Sequence, residues 1–221
     1  MTNNIDMFNE IDTEIDPTTD PRFDTEGARW WRAPCVVTDD LVVSGDLHHD
    51  PARGLAQLRE WTDAGVTGII DCRGEWSDKR MVQAAEPDII YYEHGTHDAG
   101  GSQDREWYRA GYDYFKHAKR MDPEGKVMVH CHMGINRAPS LAFYILIREG
   151  HTPAEALTLI RDARPIAACY YAESAWETYA EDERLSDGER MQGEVAIMMF
   201  FDEREIDLRR VIHEVRVVEH S

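Results

Sequence analysis

Residues 130–140 read His130-Cys131-His132-Met133-Gly134-Ile135-Asn136-Arg137-Ala138-Pro139-Ser140, directly after the apolar run Val127-Met128-Val129. A strand delivers a thiol, and after five intervening residues an arginine opens a helix. That arrangement suits a phosphate dianion. Backbone N–H groups of a short loop can point inward as a nest, and the helix N-terminus adds partial positive charge. Gly134 permits a backbone angle that a larger residue resists. The Arg137 guanidinium can grip two phosphate oxygens at once, which an ammonium does less well. The same field favours a thiolate: thiols in such surroundings titrate at about 3.5–7.5 rather than about 8.5. Cys131 is then the nucleophile that attacks phosphorus. The expected phosphate-binding set is His132, Met133, Gly134, Ile135, Asn136 and Arg137.

The elements that must carry this loop are legible in the hydropathy pattern. Short strands are expected at 36–37, 41–43, 66–72, 88–93 and 127–130. Helices are expected at 51–64, 79–85, 104–121, 137–149, 153–163 and 173–183. Asp50-Pro51 pairs an N-cap with a proline at the first helical position, and Gly65 stops that helix. Strands alternating with helices imply an α/β fold, with a mainly parallel central sheet flanked by helices on both faces. Sites in such folds lie beyond the carboxyl ends of the strands. Segments 73–76, 94–98 and 131–137 should therefore meet at one rim, with Trp76 on it.

The spacing HCxxGxxR at 130–137 resembles the signature of the cysteine-based protein-tyrosine phosphatase superfamily, and the compact size resembles its dual-specificity branch. The resemblance spans about residues 35–183, although only the loop is highly specific. It implies a phosphomonoester hydrolase that works through a phosphocysteine intermediate on phosphotyrosine, phosphoserine or phosphothreonine proteins. It also implies an aspartate general acid about thirty residues before the cysteine, in the loop after the preceding strand. Asp98 fits. Asp104 competes, but its place at a helix start suits an N-cap. A histidine at position 130 is expected to support the loop by hydrogen bonding. Many members carry Ser or Thr directly after the arginine, to assist thiolate departure. Here that residue is Ala138, with Ser140 one helical turn on as a partial substitute. Some members of the lipid type hold a second cysteine at a strand end that captures the oxidised nucleophile. Cys72 occupies such a place, with a small buried hydrophobe as the alternative reading. No cofactor is implied. His94, His97, His130 and His132 could suggest a metal, but the loop needs none and a bound ion would compete for the thiolate.

Rival readings attach to the same residues. Asn136-Arg137 resembles RNA 5′-phosphatases, and Arg137-Ala138-Pro139 resembles plant glucan phosphatases. Phosphoinositide phosphatases usually place lysines in the loop, and 132–136 has none. Outside hydrolysis, a catalytically dead phosphate-binding module would need Cys131 or Asp98 lost, and both are present. An arsenate reductase or sulfurtransferase also uses a cysteine on an anion loop, but the reductase needs resolving thiols close by.

The chain has 221 residues, 42% of them hydrophobic, and a formal net charge of −19. That charge opposes nucleic acid and anionic membranes as partners. It also means that any phosphate site must be locally positive. No apolar run is long enough to span a membrane, and no secretory signal is evident at the N-terminus. With four scattered cysteines read as reduced thiols, the expectation is a cytoplasmic protein whose partner is a phosphorylated protein substrate. Residues 1–28, with eight acids against one base, read as an acidic disordered tail. Residues 29–184 read as the catalytic domain. Residues 185–221 read as an amphipathic extension: an apolar run at 195–201, then Leu208, Val211, Ile212, Val215 and Val218 at helical spacing. The oligomeric state is left open.

Overall fold

The computed structural model describes residues 30–219, so the acidic segment 1–28 lies outside the described residues. After a single 3-10 turn at Trp30–Arg32 come β1 (Cys35–Val36), β2 (Leu41–Ser44), α1 (Pro51–Asp63), β3 (Val66–Arg73), α2 (Lys79–Ala85) and β4 (Ile90–Thr96). Then follow α3 (Arg105–Met121), β5 (Lys126–His130), α4 (Arg137–Arg148), α5 (Pro153–Ala163), α6 (Ala172–Asp182), α7 (Asp187–Glu203) and α8 (Leu208–Glu219). The sheet order is β1-β2-β5-β3-β4, parallel except for the edge strand β1.

Both faces of the sheet are covered, which is why its central strands are apolar throughout. Leu41, Val43, Val127, Val129, Ile70 and Cys72 point to the face packed by α3 and α4, with α6 packed on those two helices. The alternate residues Val42, Met128 and Ile69 meet Leu58 and Trp61 of α1 and Val82 of α2 on the other. Helix starts follow local chemistry: the Asp50 carboxylate accepts from the Arg53 N–H, and Thr152 and Ser186 each form a reciprocal capping box with the glutamate three residues on.

One expectation is corrected. The strand at 88–93 runs instead over Ile90–Thr96, so His94 to Thr96 belong to the sheet and not to a loop. Gly95 allows this, because a Cβ there would sit 2.3 Å from the Arg73 carbonyl oxygen. The extension at 185–221 holds two helices. α7 buries Gly193, Ile197 and Phe200, contacts α5 and α6, and exposes Met191, Val195, Met198 and Met199. α8 buries Val211 and Val215 in a third cluster with Trp31, Ile135 and Ile166.

Candidate active site

Near their carboxyl ends β2, β5 and β3 run in register, Ser44 beside His130 and His130 beside Asp71, and β3 continues to Arg73. Cys131 follows His130, 2% exposed. The loop from His132 to Asn136 then doubles back into α4. Four consecutive carbonyls of this loop are tied away from the thiol. The Asp46 N–H donates to the His132 oxygen at 2.9 Å and the Ala168 N–H to the Ile135 oxygen at 2.7 Å. Between them, Arg164 donates from Nη2 to the Met133 oxygen at 2.9 Å and from Nε to the Gly134 oxygen at 2.5 Å. In a planar trans peptide the N–H points opposite its carbonyl. Turning these four oxygens outward therefore turns the N–H groups of Met133, Gly134, Ile135 and Asn136 inward. Gly134 takes φ 64°, and a Cβ on it would lie 2.4 Å from Arg164 Nη2, so glycine is required twice over.

Arg164 is fully buried and also donates from Nη2 to the Trp31 oxygen at 2.5 Å. Its side-chain bonds go to carbonyls and to the Cys35 sulfur rather than to a carboxylate. A guanidinium held this way keeps its charge beneath the loop.

The Arg137 Nη1 donates to Glu75 at 2.7 Å and to the Thr96 oxygen at 3.0 Å. Its Nε has no hydrogen-bond partner among the described residues and lies 3.6 Å from the Asp98 carboxylate. Partial burial disfavours the Glu75 carboxylate, but the Arg137 guanidinium more than offsets this, and its pKa lies below the usual range. Asp98 accepts from Asn136 Nδ2 at 2.8 Å and from the Tyr171 hydroxyl at 2.7 Å. Asp104 is occupied elsewhere, capping α3 through the Glu106 N–H. The segments at Glu75, at Thr96 to Asp98 and at 131–137 thus do meet.

Other members of the expected set behave differently. Neither ring nitrogen of His130 has a hydrogen-bond partner among the described residues; Nε2 is 3.7 Å from Asp71, between the rings of Trp61 and Tyr91. His130 supports the loop by packing, not by the hydrogen bond expected of it. Burial lowers its pKa, against the pull of Asp71. The Ser140 hydroxyl donates to Asn136 Oδ1 at 3.4 Å and accepts from the Tyr171 N–H at 3.2 Å, so it braces the loop. Asn136 also accepts from the Tyr170 N–H at 2.8 Å, so its side chain links three segments. His132 Nδ1 bonds Asp46 at 2.9 Å, and the Trp76 ring meets its edge at 5.1 Å. His94 stacks on Trp107. Among the described residues no group of three or more His, Cys, Asp or Glu side chains is placed to hold a metal. Beneath the rim, Arg73 bonds Asp71 at 2.8 Å and Asp78 at 2.7 Å, and Asp46 bonds Arg32 at 3.0 Å, all largely buried. Cys72 is the next-to-last residue of β3 and is fully buried. Burial, and next the charge of Cys131, push its thiol well above the ordinary value.

No family model matches the chain, and no curated protein matches it. Among solved structures, PTPMT1 superposes with a TM-score of 0.56 at 19% identity, over 69% of this chain and 97% of its own. Tk-PTP in its active form gives 0.54 at 16% identity, over 71% and 99%. Human DUSP28 gives 0.53 at 18%, over 68% and 93%. The fold is that of the cysteine-based protein-tyrosine phosphatases. This bears out the resemblance carried by residues 130–137, at the level of the fold. The part of this chain without a counterpart is about as long as segments 1–29 and 185–221 together.

Sequence reasoning did not find Arg164, Glu75 as the Arg137 partner, Tyr171, or the cleft-facing residues of α8. A lone arginine at 164 carries no motif, and its contacts span residues far apart in the chain.

Arg164→Met should loosen the loop more than it unfolds the sheet. The expected result is at least about a tenfold loss of vanadate affinity, roughly 1.4 kcal/mol, with Arg164→Lys in between. Unchanged affinity in both variants would show that the loop holds its shape without this guanidinium.

Stability should fall below about pH 6.5, because His94 and His130 are both held below that ordinary value in the fold, chiefly by burial. The unfolded chain binds more protons there, so acidification favours unfolding by at most about 1.4 kcal/mol per pH unit for each histidine. Denaturant midpoints at pH 7.5 and 5.5 measure this; His130→Asn should flatten the dependence, and a flat wild-type profile would contradict it.

Proposed function

We propose that the chain is a cysteine-dependent phosphomonoester hydrolase that acts on phosphorylated proteins through a phosphocysteine intermediate. The observation that supports this reading is that the 132–135 carbonyls are each held by a donor from outside the loop, an arrangement that would aim four N–H groups at the space above Cys131, beside Arg137. Phosphate oxygens would take those N–H groups and the free edge of the guanidinium. The Cys131 thiolate would attack phosphorus, and Asp98 would give its proton to the departing oxygen. Asp98 would then accept a proton from the water that attacks the phosphocysteine, and the thiolate would leave with its electron pair.

Two features bear on the substrate. Asn136, the residue shared with RNA 5′-phosphatases, is engaged by Asp98, Ser140 and the Tyr170 backbone, so its presence needs no RNA to explain it. One solved structure of PTPMT1 is a complex with PI(5)P, which makes a phosphoinositide the competing substrate class. Residues 132–136 carry no lysine to read a polyphosphorylated headgroup. No helix among the described residues is long and apolar enough to cross a membrane.

Cys131→Ser should abolish release from p-nitrophenyl phosphate while keeping vanadate affinity, because a hydroxyl is not ionised at neutral pH. Asp98→Asn should slow phosphopeptide hydrolysis by about 10²–10⁴-fold, and p-nitrophenyl phosphate far less, since only the poor leaving group needs the proton. A panel of phosphotyrosine and phosphothreonine peptides, phosphoinositide, RNA 5′-triphosphate and phosphoglucan should favour the peptides. Turnover by Cys131→Ser, or an equal effect of Asp98→Asn on both leaving groups, would overturn these roles.

Cys72 is the proposed redox partner of Cys131. Peroxide would convert the Cys131 thiolate to a sulfenic acid, and the Cys72 thiol would displace water from it to form a disulfide. The raised pKa of Cys72 makes this capture slow at neutral pH. Cys169 is no better placed, with its thiol pushed up to about 12 by burial. Peptide mapping after mild peroxide should show a Cys72–Cys131 disulfide that forms faster at pH 8.5 than at pH 7 and is reversed by dithiothreitol. Direct passage to sulfinic acid, or pairing with Cys169, would refute it.

A further inference from the structure

The cleft above Cys131 is not closed by the sheet's loops alone. It has a volume of about 380 Å³, and Cys131, Arg137 and Tyr170 share it with Leu208, Ile212 and Arg216 of α8. The three α8 residues are spaced by four, so they form one stripe along the helix. The neighbouring stripe, Val211 and Val215, is 1% and 0% exposed and packs on Trp31, Ile135 and Ile166. At the far end Glu219 lies 3.5 Å from Arg32 and 3.6 Å from His132 Nε2, so α8 is also fastened to the phosphate loop itself. Its position over the cleft is thus set by apolar anchoring and by charge.

The cleft has a distinct chemical layout. Arg137 and Arg216 are its two guanidinium groups; the rest of the lining is mostly apolar (Met133, Ile135, Leu208, Ile212 and the Tyr170 ring), with Asp98, His132 and Asn136 at the loop. Arg137 is paired with Glu75, whereas Arg216 is exposed and has no ion-pair partner among the described residues, in a chain of net charge −19. An apolar lining between two guanidinium groups suits a flat, apolar spacer that carries phosphate at one end and lies near a second anion at the other. Asp98, His132, Asn136 and the Tyr170 hydroxyl are the polar groups of the lining, and three of them are engaged within the protein: Asp98 with Asn136 and Tyr171, and His132 with Asp46. An aryl phosphate would rest its ring on Met133, Ile135, Leu208 and Ile212 and needs no further hydrogen-bonding partners.

We infer that α8 is the substrate-selecting wall of this site, and that Arg216 binds the carboxylate of an acidic residue next to a phosphotyrosine. The inference rests on the hydrolase reading above. It adds a residue, a helix and a substrate feature that the catalytic loop does not determine. The overall negative field repels an acidic peptide at long range but is screened beyond about 8 Å at physiological salt. The preference must therefore come from the contact inside the cleft.

The test compares two phosphotyrosine peptides that differ only by Glu or Gln beside the phosphotyrosine, using the whole chain. For the wild type, kcat/KM should favour the Glu peptide by about three- to fivefold, the range of a partly exposed ion pair. The ratio should fall to about one in Arg216→Ala, fall below one in Arg216→Glu, and persist in Arg216→Lys. Arg216 is exposed, so the ratio in the charge-keeping Lys variant separates a charge contact from a structural effect. A wild-type ratio of one, or a ratio that Arg216→Ala and Arg216→Glu leave unchanged, overturns the assignment to Arg216 while turnover of both peptides upholds the hydrolase reading. Faster, Arg216-dependent hydrolysis of phosphoinositide vesicles than of either peptide overturns the peptide assignment. A wild type that hydrolyses no phosphate ester overturns both readings together.

Discussion

Four peptide oxygens between His132 and Ile135 face away from Cys131, and the site depends on that. Each outward oxygen obliges the next N–H to face inward. Two of the four donors that hold them come from one fully buried side chain, Arg164, which reaches from the start of the α5–α6 connection to the loop after β5 and to the carbonyl of Trp31. Buried carbonyls without donors cost about 1–3 kcal/mol each. The loop shape is therefore held by the same accounting that governs any buried backbone. A carboxylate partner for Arg164 would have cancelled its charge; carbonyls satisfy its N–H groups and leave the charge in place.

The electrostatics of the chain and of the site point in opposite directions, and the structure separates them by burial. Acidic residues dominate the sequence, yet Arg32, Arg73, Arg137 and Arg164 are all buried near the carboxyl ends of the strands. Asp46, Asp71 and Asp78 pair with Arg32 and Arg73 below the rim and make a rigid base. Breaking a buried pair of this kind costs about 3–5 kcal/mol. Arg164, and Arg137 with its partner Glu75, sit at the loop itself, where low polarity strengthens their field.

The two C-terminal helices complete the helical layer and the cleft. The solved structures are covered almost end to end by this chain, whereas roughly three tenths of the chain lies outside the superposition. α7 extends the helical layer and leaves Met191, Val195, Met198 and Met199 in solvent. α8 turns back over the loop and gives the cleft an apolar and cationic wall.

The amino-acid order by itself determined the parts of this protein that depend on near neighbours. The alternation of apolar strands and helices is local, and the helix at Pro153–Ala163 stands where its periodicity and the Thr152 capping box put it. The strand–loop–helix run from Val127 to Arg137 is local too, so the thiol, the glycine and the arginine were recognisable together. What only the tertiary structure decided are contacts between residues far apart in the chain. Nothing adjacent to Arg164 says that it will serve Met133 and Gly134. The side chain of Ser140 was open to several partners until packing gave it Asn136 and Tyr171. The periodicity of Leu208 to Val218 announced an amphipathic helix but not its address, because an apolar stripe records how much surface must be buried and not against what. The β2–β5 and β3–β5 pairings supplied that address: they set Trp31 and Ile135 side by side as the floor on which Val211 and Val215 could land.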